Sequence, residues 1–134
     1  IGINTLGALA AQAPASAAPL WTILDAQRQE LFAAKFLVND AGRPRAECET
    51  FIISQEAWLA GLRPGDRVTG TALGRLAARL PAGVELVPQE FCQPMAAAVG
   101  QLAWQAYQTG HRDDVWQLAP KYYRASAAEE KRPP

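Results

Sequence analysis

The sequence predicts an α/β (α+β) fold, with a mixed sheet that combines an antiparallel meander with flanking helices. Three observations carry this. Three short apolar runs lie close together between residues 20 and 53, joined by short polar connections, which makes an antiparallel meander the simplest arrangement. A strand, helix, strand pattern follows over residues 68–87 and favours parallel pairing at that side of the sheet. The clearest helical periodicity then fills residues 94–109.

In chain order, Asn4 or Thr5 caps a short Ala-rich helix whose apolar positions are Leu6, Leu9, Ala10 and Ala13, and Pro14 stops it. Residues 14–19 read as a small-residue connector. The run 20–24 reads as a buried strand, 25–29 as a polar turn, and 31–38 as a second strand closed by the loop signal Asn39-Asp40-Ala41-Gly42. A third strand is expected over 48–53. Ser54 starts a short helix through Trp58 and Leu62, and Arg63-Pro64-Gly65-Asp66 is a turn with Pro and Gly adjacent. Val68 and Thr69 form a strand leading into Gly70, 72–80 has a helical pattern, and 83–87 forms a further strand. In the last helix, Pro94 stands in the first turn and Gly110 just past the end. Met95, Ala98, Val99, Leu102 and Ala106 form a stripe that is expected to be core. Residues 126–134 are expected to fray.

Composition bounds the function. A chain of 134 residues with 49% hydrophobic content builds one core, so residues 1–134 are expected to form a single domain. Thirteen basic and thirteen acidic side chains cancel, which removes the net field that draws proteins to nucleic acid or anionic membranes. Cys48 and Cys92 lie far apart without a CxxC spacing and are expected to be reduced. No apolar run approaches the ~20 residues that span a bilayer. The Ala-rich start lacks the basic flank of a signal peptide, so a cytoplasmic location is expected. Ile1 stands where a Met would begin a natural chain, within what reads as the tail of a strand, and a fragment is expected.

Few residues point to chemistry. Asp25 ends a strand, where it can meet a metal or a partner, but a turn-capping carboxylate bonded to backbone two residues on explains it as well. Gly70 and Thr71 lie between a strand and a helix, a place where phosphate or adenosine is often cradled. The run Val68-Thr69-Gly70-Thr71-Ala72-Leu73-Gly74, however, is neither a GxGxxG nor a GxxxxGK[ST] pattern, and a plain turn is preferred. His111 is the single histidine and has no HExxH-like partner, and the serines have no visible His-Asp pair, so a peptidase is the least supported enzyme. Alternation places Tyr122 inward at a sheet edge, with packing preferred to an interface for Tyr122, Tyr123 and Arg124. Trp104 and Trp116 are expected to join Tyr107 as core.

Four stretches carry a family resemblance: Gly2-Ile3-Asn4-Thr5-Leu6, the turn from Asp25 to Phe32, Val68-Thr69-Gly70-Thr71-Ala72, and Pro120-Lys121-Tyr122-Tyr123-Arg124. In order and spacing the chain resembles the second half of the TsaB (YeaZ) family, which helps make threonylcarbamoyladenosine in tRNA. Members typically have Arg where this chain has Gln27 and Gly where it has Gln29. The resemblance implies the ribonuclease H-like, actin-like ATPase fold, with the chain as the C-terminal half of a two-domain protein. It implies a non-catalytic scaffold with no cofactor of its own, supporting a TsaD-like paralogue and a TsaE-like ATPase, with tRNA contacted only indirectly and a homodimer as a further option. Asp25, Arg28, Tyr122, Tyr123 and Arg124 are then candidates for partner contact or for closing the fold. Partner contact is expected mainly through the other half of such a protein, without which apolar surface is exposed and self-association follows. The rival reading is one half of an actin-like ATPase or sugar kinase, with Gly70 and Thr71 at adenosine; a glycoprotease-type peptidase comes third.

Overall fold

The structure, a computed structural model, describes residues 1–123. Helix α1 (Thr5–Gln12) starts where the Asn4 side chain accepts hydrogen bonds from the Leu6 and Gly7 backbone N–H groups, which would otherwise lack partners in a first turn. Strands β1 (Ser16–Gln27) and β2 (Glu30–Val38) form an antiparallel hairpin. Strands β3 (Pro44–Ala46) and β4 (Phe51–Ser54) both pair with the other edge of β2, beside Phe36–Val38 and Glu30–Ala33 respectively. Ser54 then caps α2 (Gln55–Gly61) by accepting from the Ala57 N–H. Strand β5 (Arg67–Thr69) runs parallel to β1, and after α3 (Leu73–Leu76) with its 3-10 extension (Ala77–Arg79), β6 (Glu85–Leu86) runs parallel to β5. The sheet order is β3-β2-β1-β5-β6, with β4 on β2, and α4 (Ala96–Gln108) ends the described helices.

Both faces of the sheet are covered, which explains why β1 and β2 read as nearly continuous apolar runs. On one face Ile23, Leu31, Ala33 and Val68 meet Trp58 of α2 and Leu73 and Leu76 of α3. On the other, Leu20, Ala34, Phe36 and Val38 meet Leu6, Leu9 and Ala10 of α1. Helix α4 rests mainly on α1. Its entry is fixed by Gln12, whose amide donates to the Phe91 and Gln93 carbonyls at 2.8 and 2.6 Å and accepts from the Met95 N–H at 3.0 Å.

Several expectations are corrected. The connector expected over 14–19 is mostly strand: β1 starts at Ser16, and Pro19 falls in the register shift between Ser16 and Leu20, where no ladder N–H is required. The strand expected over 48–53 starts only at Phe51, as β4, and β3 precedes it; between the two the Lys35 N–H donates to Cys48 Sγ in place of a ladder carbonyl. The stripe of α4 is core only in part: Ala98 is buried and Leu102 and Ala106 are half-buried, whereas Met95 and Val99 are exposed, and the aromatic residues expected as core, Trp104 (59%) and Tyr107 (48%), are exposed too. The helix carries no charged residue, so the spacing marked the inward line of Ala98, Leu102 and Ala106 but not how narrow that face is.

The β1–β2 turn closes on the pair Gln27–Glu30 through two residues, Arg28 and Gln29. Their φ values of +50° and +60°, after +63° at Gln27, are the left-handed conformation of a two-residue hairpin turn that favours Asn-Gly. A side chain at such a position is disfavoured by roughly 1–2 kcal/mol. Gln29→Gly is therefore expected to stabilise the domain by about 0.5–1 kcal/mol, read as a higher urea midpoint at unchanged slope.

Candidate functional site

Two clefts flank the ends of β1 and β5. The first, about 560 Å³, lies beneath the β1–β2 turn and is lined by Asp25, Gln27, Arg28, Gln29, Gln55 and the helix residues Arg75, Leu76 and Arg79. Asp25 Oδ1 accepts from the Gln27 backbone N–H at 3.0 Å, and its other oxygen pairs with the Arg75 guanidinium. The backbone hydrogen bond first, and then Arg75, hold this carboxyl below the usual carboxylate range. Arg79 pairs with Glu56 of α2 at 3.6 Å. Both ion pairs are exposed.

The second cleft, about 610 Å³, is lined by Gly70, Thr71, Gly74, Ala77, Val87 and Cys92, among others. Gly70 has φ +130°, and a Cβ placed there would stand 1.9 Å from the Ile23 carbonyl oxygen. Close approach of two backbones thus accounts for this glycine without a ligand. Thr71 is exposed. The buried Thr69 hydroxyl donates to the Phe91 carbonyl at 3.1 Å and ties the 3-10 turn (Gln89–Phe91) to β5.

The predicted candidates therefore separate. Asp25 and Arg28 share the first cleft, Gly70 and Thr71 the second, and the tyrosines lie in neither. Tyr123 packs against Phe32 with ring centroids 5.7 Å apart, whereas Tyr122 is 82% exposed. The inward placement expected for Tyr122 is thus corrected: the segment joins no strand, and the next residue makes the contact. Arg124 and residues 126–134 lie outside the described residues. Trp104 stacks on Tyr107 at 5.7 Å and Arg112 lies over the Tyr107 ring, but this group and Trp116 (92% exposed) sit on the surface rather than in the core. Arg75, Arg79 and Gln55 were missed as companions of Asp25. The repeat of arginine one helical turn apart within residues 72–80 was the available signal.

Helix α4 ends where Gly110, at φ +87°, lets its own N–H and that of His111 reach the Tyr107 and Ala106 carbonyls. His111 meets Asp113 at 3.1 Å, and Asp113 accepts the Gly2 N–H at 2.7 Å, joining the two ends of the described chain. The Gly2 bond first, with His111 adding to it, holds the Asp113 carboxyl below its ordinary value. A depressed carboxylate contributes stability above its unfolded value, near 3.9, and loses it as pH falls through the folded value. Asp113→Asn is expected to lower Tm at pH 7, and the gap from the parent should shrink below about pH 4. A gap that stays constant down to pH 2 would contradict this.

Among the described residues no three His, Cys, Asp or Glu side chains gather where a metal could be held, and both cysteines are free. Among the same residues no helix is long and apolar enough to cross a membrane. No protein-family model matches the chain, and no curated protein matches it in sequence. Solved structures do match. One is YeaZ from Pseudomonas aeruginosa, with a TM-score of 0.72 and 19% identity over 91% of this chain. Another, from the same organism, is an uncharacterised protein with similarity to the peptidase YeaZ, with a TM-score of 0.67 and 21% identity, again over 91% of this chain. The match takes in 57% of each of those chains, so this chain spans little more than half their length. At such identities the likeness is one of fold, and the mixed α/β fold of this chain is YeaZ-like.

Proposed function

We propose that the chain is a non-catalytic scaffold of the TsaB type, supporting a TsaD-type enzyme as it transfers threonylcarbamoyl to adenosine in tRNA. The observation that carries this reading is the fold match to YeaZ over 91% of the chain. In this reading the fold belongs to the ribonuclease H-like, actin-like superfamily, and the chain supplies one of two facing domains. It works in the cytoplasm beside a TsaD-type subunit and a TsaE-type ATPase, meeting tRNA only through them.

The rival is a nucleotide-binding enzyme half using the second cleft. Its small-residue wall of Gly70, Gly74 and Ala77 leaves room for a planar ring. Against it, Gly70 already has a packing reason to be glycine. Calorimetric titration separates the two readings: joined to the first half of YeaZ, the scaffold binds a TsaD-type protein, and the chain does not bind ATP at micromolar concentration without that protein. Micromolar ATP binding by the chain alone, with no affinity of the joined protein for the TsaD-type protein, would favour the rival.

A further inference from the structure

We propose that the cleft beneath the β1–β2 turn binds the phosphate groups of a small oligophosphate, which Arg75 and Arg79 grip once Asp25 is displaced. Three arginines, Arg28, Arg75 and Arg79, and three glutamines line this space on a chain of zero net charge. Its volume of about 560 Å³ lies in the range of small-molecule sites. Arg75 and Arg79 stand one helical turn apart, an unfavourable like-charge spacing unless negative charge lies between them. Asp25 and Glu56 now supply that charge.

Those two pairs are suited to exchange. The Arg75 and Asp25 side chains are 65% and 39% exposed, and those of Arg79 and Glu56 are 48% and 62% exposed, so water and salt weaken both. A phosphate offers each planar guanidinium two parallel acceptors and carries more charge than a carboxylate, so it replaces the carboxylates at little loss. The rim is the β1–β2 turn itself, whose positive φ at Gln27, Arg28 and Gln29 fixes the backbone there. A free oligophosphate fits better than an RNA strand. The arginines line one local cleft, and a chain of zero net charge lacks the excess of cations that a strand's phosphates would require.

The whole chain is titrated with inorganic pyrophosphate at low salt and followed by 1H–15N NMR. Saturable shifts are expected at the amides of residues 27–29 and at the Arg75 and Arg79 side-chain N–H groups. Affinity should fall about tenfold or more in Arg75→Gln and Arg79→Gln, and less in Arg75→Lys, which keeps the charge but loses the fork. It should rise severalfold in Asp25→Asn, whose amide oxygen still accepts the Gln27 N–H while Arg75 is released. These side chains are exposed, and unchanged core amide shifts report that each variant is folded. Absence of saturable shifts in both the parent and Asp25→Asn would overturn the proposal. So would shifts indifferent to Arg75→Gln, or a short RNA binding this cleft where pyrophosphate does not.

Discussion

Gly70→Ala is expected to remove about 4 kcal/mol of stability, a large share of the roughly 5–15 kcal/mol that holds a domain folded. Two effects add. At φ +130° an alanine is strained by roughly 1–3 kcal/mol. Its Cβ would also stand 1.9 Å from the Ile23 oxygen and 2.8 Å from the Ile23 carbonyl carbon, backbone atoms of a central strand that can yield only by parting β1 from the end of β5. Overpacking of that kind adds about 1–3 kcal/mol. Gly100→Ala is the control. Gly100 lies within α4 with nothing within 4 Å of its Cβ position, so alanine there should stabilise by up to about 1 kcal/mol. Urea unfolding of both variants checks the contrast, and equal effects would contradict it.

Asp66→Ala is expected to cost about 3 kcal/mol. Asp66 is 4% exposed and sits under the junction of α2, β1 and β5. Its carboxylate accepts from the Arg63 N–H at 2.9 Å and from Trp21 Nε1 at 3.3 Å, and it meets Lys35 Nζ at 3.4 Å. Truncation leaves three donors facing a gap, and removing one partner of a buried pair costs about 3–5 kcal/mol. The lower end applies because the Lys35 side chain is 25% exposed and also lies over the Trp21 ring at 5.2 Å. Asp66→Asn keeps one acceptor and should lose less, about half as much. A loss under 1 kcal/mol for Asp66→Ala in urea unfolding would show that water satisfies these donors.

The parts of the fold legible in the sequence were those with local causes. Asn4 and Ser54 announce their helices because a cap needs only a side-chain oxygen before a helical pattern, and Gly65 and Gly110 mark turns that require positive φ. The early start of β1 was hidden because Pro19 argues against a strand unless a register shift accommodates it, and that shift exists only against Val38 and Phe36. The inward line of α4 was legible, but the exposure of Met95, Val99, Trp104 and Tyr107 was hidden because no charged residue marks the outer side of the helix. Asp25 showed as a turn residue from its neighbours alone, but Arg75, 50 residues away, meets it only through the packing of α3 on the sheet. The cleft is a product of topology, and no spacing in the chain records it.

The central proposal is the scaffold role. A chimera tests it most directly: the chain replaces the second half of YeaZ in cells depleted of their own protein, and threonylcarbamoyladenosine in tRNA is measured by nucleoside mass spectrometry. The account predicts restoration to at least a substantial fraction of the level given by intact YeaZ. A chimera that is expressed and folded, yet leaves the nucleoside at the depleted level, would contradict the scaffold reading and leave the likeness to YeaZ as one of fold.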